Sequence, residues 1–187
     1  MTPSSVQDFI LQSEQNLRTA AAIADTWAGT RVLIADEFLT RLGAKLLGDL
    51  PGWKIGRFGE FYTDAYPSFW VEKQSWLGEY GVTLQPRENG RKMVFGIQRD
   101  NDIQAVAKRP LSPDVLEACR LDFPSVKPEQ KWWDALIPMR NPASDWTKPE
   151  VLWRMRTDPA FLDAVAGQML AIGKATEAII DRTIKNK

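Results

Sequence analysis

The sequence predicts an α+β fold in which helices at both ends enclose one antiparallel sheet, within a single domain spanning 1–187. Three observations predict it. Apolar residues recur at helical spacing upstream of residue 50 and downstream of residue 158. Between Tyr66 and Asp100 the period changes to alternation, with Val82 and Leu84 set against Thr83 and Gln85, then Met93, Phe95 and Ile97 against Val94 and Gln98. Asn89-Gly90 separates the two alternating runs and accepts the positive φ that a tight hairpin turn demands. The expected order is two N-terminal helices, an antiparallel β-meander of about four strands, an ordered Trp-rich loop and a long C-terminal helix.

In chain order, Val6, Phe9, Ile10, Leu17, Ala20, Ala24 and Trp27 mark a first helix over 4–28, started by Ser4 or Ser5 and stopped at Gly29. Thr30 caps a second, whose inner face is Ala35, Phe38, Leu39, Leu42, Leu46 and Leu47; Gly48 and Pro51-Gly52 close it. Trp53 to Phe61 reads as a first strand interrupted by Gly56 and Gly59. In the next strand Phe69 and Val71 share one face, with Trp70 and Glu72 on the other. The two alternating runs supply the remaining strands. Asn101 to Pro110 is a connection. Ser112 caps a short helix with Pro113 at its first position. Residues 124–149 carry five prolines along with Trp132, Trp133 and Trp146, and read as a long ordered loop. Thr147 to Glu150 fits a capping box. Asp158-Pro159 then starts a helix that keeps phase to about residue 184.

Composition narrows the chemistry. The chain has 24 basic and 24 acidic side chains, which gives no general electrostatic case for binding a polyanion. Its hydrophobic share of 44% and 187-residue length support a core without staples. Cys119 is the single cysteine, read as a buried thiol, so no intrachain disulfide forms. Histidine is absent, which removes Ser-His-Asp and Cys-His catalysis and His-containing zinc sites. No apolar run approaches the roughly 18 residues a membrane span needs, and the N-terminus lacks an apolar signal core, so the expected location is the cytoplasm. No cofactor and no metal are expected.

A magnesium-dependent nuclease centre requires an acidic residue and a Lys two positions apart, because i and i+2 share one strand face. Asp64 followed by Glu72-Lys73 fails this test: the two charges are adjacent, and Gln74 stands where the Lys should be. Glu129-Gln130-Lys131 has the right letters in a proline-rich segment without a strand pattern. GWKIGRFGEF lacks the glycine spacing of a phosphate-binding loop.

Eight tryptophans deserve individual placement. Trp27, Trp53 and Trp153 fall in apolar phase and read as core. Trp70 either packs under a second layer or faces out for binding. Trp132, Trp133 and Trp146, near Arg140 and Asn141, either anchor the loop or form a contact surface, since aromatics with Arg are enriched in binding hot spots.

Lys73, Trp76, Tyr80, Val82, Leu84, Phe95, Gly96 and Ile97, followed by Lys131-Trp132-Trp133, Asn141, Asp145-Trp146 and the 158–184 helix, carry a resemblance. The region 66–184 resembles the accessory C-terminal region of bacterial PD-(D/E)XK nuclease-like proteins, here without the nuclease core. The resemblance implies a free-standing accessory or recognition module of bacterial or phage conflict systems, and brings no catalytic residue with it. The leading functional reading is a non-enzymatic module that binds a protein partner, such as an inhibitor or immunity protein. The alternatives are a nucleic-acid-binding accessory module and a cryptic magnesium-dependent hydrolase. Candidate binding residues are Trp70, Trp76, Arg87, Arg91, Trp132, Trp133, Arg140 and Trp146, with Lys92 and Arg99 added for nucleic acid.

Overall fold

In the structure, a computed structural model, residues 4–76, 78–100, 108–129 and 131–186 are described. The first seven residues of the connection expected at Asn101–Pro110 lie outside them. Helix α1 (Ser5–Leu11) opens on a capping box in which Ser4 and Gln7 satisfy each other's backbone N–H. Helix α2 (Glu14–Asp49) begins at Ser13, whose side chain accepts from the Asn16 N–H. The expected break at Gly29-Thr30 does not occur. A single glycine costs a helix only about 1 kcal/mol, and the Thr30 hydroxyl donates to the Thr26 carbonyl as it would in mid-helix. The 36 residues of α2 span about 54 Å, and its buried residues, Ala35 to Leu46, all lie in the C-terminal half.

Six antiparallel strands follow among the described residues, rather than about four: β1 (Trp53–Phe58), β2 (Ser68–Lys73), β3 (Tyr80–Arg87), β4 (Lys92–Arg99), β5 (Lys127–Glu129) and β6 (Trp133–Pro138). Their order is β1-β2-β3-β4-β6-β5. The two extra strands come from the segment expected to be a loop. Its prolines fall where a sheet tolerates them, Pro128 in the edge strand β5 and Pro138 at the end of β6. The hairpin turn lies where Asn89-Gly90 placed it, with positive φ at Glu88, Asn89 and Gly90. Gly96 has φ 148°, and a Cβ there would collide with the Ala135 carbonyl, so glycine is what lets β4 approach β6.

Helices α3 (Pro113–Arg120), α4 (Pro149–Thr157) and α5 (Pro159–Lys185) complete the chain. The capping box expected at Thr147 is not formed. Asp145 accepts both the hydroxyl and the N–H of Thr147, and Lys148 sits at the cap without a side-chain bond. The core lies between the helices and one sheet face. Phe69, Val71, Val82, Leu84, Phe95 and Ile97 meet Phe38 and Leu42 of α2 and Val165, Met169 and Ile172 of α5. Trp146 lies inside this core, stacked on Phe61 at 5.7 Å and edge-on to Phe38 at 5.4 Å. Trp53 packs edge-on to Trp76 at 4.8 Å. Trp27 and Trp153, expected in the core, are 38% and 67% exposed. On the short α4 the buried face is Val151, Leu152 and Met155, which turns Trp153 outward.

Candidate functional site

Strand alternation turns Lys73 and Glu72 to opposite faces. Lys73 Nζ reaches inward to Asp181 at 2.6 Å and Glu177 at 2.7 Å on α5, and Trp76 Nε1 donates to the same Asp181 at 2.9 Å. Burial works against the Asp181 carboxylate, but the bonds from Lys73 and Trp76 outweigh it and hold its pKa below the usual range. These contacts clasp α5 to the sheet. Glu72 faces the other side and pairs with Lys54 at 3.1 Å.

That other face carries a cleft lined, among the described residues, by strands and loops. Two adjoining cavities of about 560 and 410 Å³ share Phe58, Ser68, Gln98 and Trp132 as their common boundary. Alternation explains the floor: Ser68, Trp70 and Glu72 of β2, Thr83 and Gln85 of β3, and Gln98 of β4 are the residues that point away from the helices. Trp70 lies against the sheet over two neighbouring strands. A Cβ at Gly56 of β1 would overlap its ring, and one at Gly81 of β3 would touch it at 3.1 Å. The two glycines therefore form a bed for the indole. The rim is aromatic, with Phe58 60% exposed, Tyr66 70% and Trp132 41%. At one end Arg87 pairs with Glu129 at 3.1 Å.

A bulge shapes the far wall. Ile97 pairs with Ala135 but Gln98 pairs with Trp133, so Asp134 is the extra residue. Trp133 is thereby turned to the cleft side, where it packs with Val94 and Leu136. Asp134 turns to the helical side, accepts the Ser112 N–H at 2.9 Å and lies 3.6 Å from the buried Arg99. Burial, only partly offset by Ser112 and Arg99, raises the Asp134 pKa.

Of the residues singled out from sequence, Trp70, Arg87, Trp132 and Trp133 come together in this cleft, and Arg99 also borders one of its cavities. Trp76 and Trp146 do not: both are fully buried in the core, so neither presents a contact surface. Arg140 lies on the helical side, 5.0 Å over the Phe123 ring, and donates to the Asp122 carbonyl at 2.6 Å. Arg91 is exposed beside the β3–β4 turn, next to Lys92, which pairs with Glu88. Arg99 is buried, donating to the carbonyls of Lys131, Arg109 and Pro110. Sequence reasoning did not single out Phe58, Tyr66, Ser68, Gln98 or Glu129 for the cleft; their convergence depends on register across four strands.

The carboxylates considered for metal chemistry have structural partners, Asp64 accepting the Glu60 N–H at 2.8 Å and Glu72 pairing with Lys54. Among the described residues no group of three or more metal-ligating side chains comes together. Cys119 is buried, and burial, with Asp122 and Asp134 nearby, pushes its thiol up to about 12. Fold and cleft together define an α+β protein with an aromatic-rimmed cleft on its sheet. Comparison with known proteins takes this no further: the chain matches no protein-family model, no curated protein and no solved structure.

Proposed function

We propose that this chain is a non-enzymatic binding protein whose cleft takes an extended polypeptide segment of a partner protein. The observation that carries the reading is the double cavity: two adjoining hollows with an aromatic rim and a polar floor whose one carboxylate, Glu72, is paired with Lys54. Aromatic rims take side chains, while Ser68, Thr83, Gln85 and Gln98 offer donors and acceptors to backbone amides. Occupying a partner in this way suits an inhibitor or immunity protein, and it suits the accessory-module role that the resemblance to nuclease-like systems implies.

A second reading draws on Trp70, whose bedded ring is the kind of platform on which a nucleobase stacks. Charge favours the first reading. Arg87 is matched by Glu129, and the nearby Lys54 by Glu72, so a phosphate backbone would have to displace carboxylates from both.

Selection from a displayed random-peptide library separates the two. We expect peptides that bind the protein and lose about tenfold or more in affinity with Trp132→Ala or Phe58→Ala, both exposed positions at the rim. A library that yields no binders, or binders indifferent to both substitutions, sinks the peptide reading. Binding of single-stranded oligonucleotides that weakens steeply with salt and depends on Trp70 would replace it with the second.

A further inference from the structure

We propose that the N-terminal arm, α1 with the first half of α2, pairs antiparallel with the arm of a second copy of this chain. From Ser4 to Thr30 no residue is buried. Yet the arm exposes large apolar side chains: Leu17, Ile23 and Trp27 are 52%, 60% and 38% exposed, and Val6, Phe9 and Leu11 of α1 are 64%, 58% and 72%. At 100° per residue, Leu17, Ala21, Ala24 and Ala28 lie on the same face as Ala35, Phe38, Leu39, Leu42 and Leu46. That face is buried in the body from Ala35 onward. One apolar stripe thus runs off the edge of the body for about 25 Å along residues 14–30, none of which is buried among the described residues. A stripe of this kind on a projecting helix marks an interaction surface.

Charge identifies the occupant. Arg18 and Asp25 are seven residues apart and flank the same edge of the stripe. When two identical helices pack antiparallel about a twofold axis, residues on the same edge face each other. Arg18 of one copy then meets Asp25 of the other, and the reciprocal pair forms on the same edge. The axis falls between Ala21 and Ala22, and the seam is Leu17, Ala21, Ala24 and Ala28, free of charge. A parallel pair brings neither charge opposite its counterpart. Arg18 also pairs with Glu14 on its own helix at 2.6 Å, an exposed contact that the arrangement leaves in place. The pairing sets each α1 beside the body of the other copy.

The test uses the full chain, with sedimentation velocity across a concentration series and far-UV circular dichroism to check folding. All substituted positions are exposed, so the variants keep the body intact. The expected result is a dimer that weakens about tenfold or more with Arg18→Asp or Asp25→Arg, each of which sets like charges face to face, and recovers in the double exchange. Ala21→Cys should cross-link across the axis under mild oxidation. Ala28→Cys should not, because antiparallel pairing holds the two copies of that position about 20 Å apart along the helices. A monomer at every concentration overturns the proposal, including one whose arm instead binds lipid vesicles. A dimer indifferent to the charge exchange, or cross-linking at both positions, overturns it as well.

Discussion

Asp181 shows how one carboxylate holds the C-terminal helix to the sheet. It accepts from Lys73 of β2 and from the buried Trp76 indole, and so joins three elements. Asp181→Ala strands the indole N–H and should cost about 2–3 kcal/mol. Asp181→Asn keeps an acceptor for the indole and leaves Lys73 with Glu177, so the loss should be nearer 1 kcal/mol. The pH dependence has a definite sign. The folded pKa of Asp181 lies below its ordinary value of 3.8, so the stabilisation is fully present above that value and is lost as pH falls through the folded pKa. Denaturant midpoints should therefore separate wild type from Asp181→Asn at neutral pH and converge well below pH 3.8. A gap that persists in acid would mean that the carboxylate charge is not what clasps the helix.

Elements were legible in the sequence where local pattern and tertiary packing agree. The β3–β4 hairpin carries both strict alternation and Asn89-Gly90, and α5 carries an unbroken apolar phase from Phe161 to Ile180. The continuous α2 was not legible, because Gly29-Thr30 is a good local stop signal and only the assembled helix shows that it is overridden. Strands β5 and β6 were hidden by prolines and by the bulge. Trp133, Asp134, Ala135, Leu136 and Ile137 break the period of two because Asp134 is an extra residue. The cleft was half legible. Alternation placed Trp70 on the outer face, whereas Phe58, Tyr66 and Gln98 join it only through cross-strand register. Gly56 is the element-scale device, as the bed under Trp70. Gly56→Ala should cost about 1–3 kcal/mol by forcing the indole off the sheet. In a Trp70→Ala background the same change should cost little, since the clash has gone. A double-mutant cycle by chemical denaturation measures this coupling, and additivity would show that the ring does not rest on Gly56.

At the scale of the molecule, the chain divides into a body whose helices and sheet share one core and an arm that contributes nothing to it. Every residue of the main core cluster lies from Ala35 onward. Contacts that tie α2 to the body begin around Arg31, which lies 5.1 Å over the Tyr62 ring, and continue with Asp36 to Arg57 and Arg41 to the carbonyl end of α4. Removing 4–30 therefore deletes no buried contact, and the truncated chain should unfold in one cooperative transition. The consequence for the intact protein is opposite in kind. If two arms pair, folding is linked to association, and the melting temperature must rise with protein concentration by mass action. Truncation should abolish that dependence while leaving the sheet and its cleft in place, so that any peptide bound by the cleft is bound with unchanged affinity per chain. Calorimetry of both forms over a wide concentration range checks this. A truncated body that fails to fold would show that the arm stabilises the core, and an intact protein whose melting ignores concentration would place the arm outside any self-association.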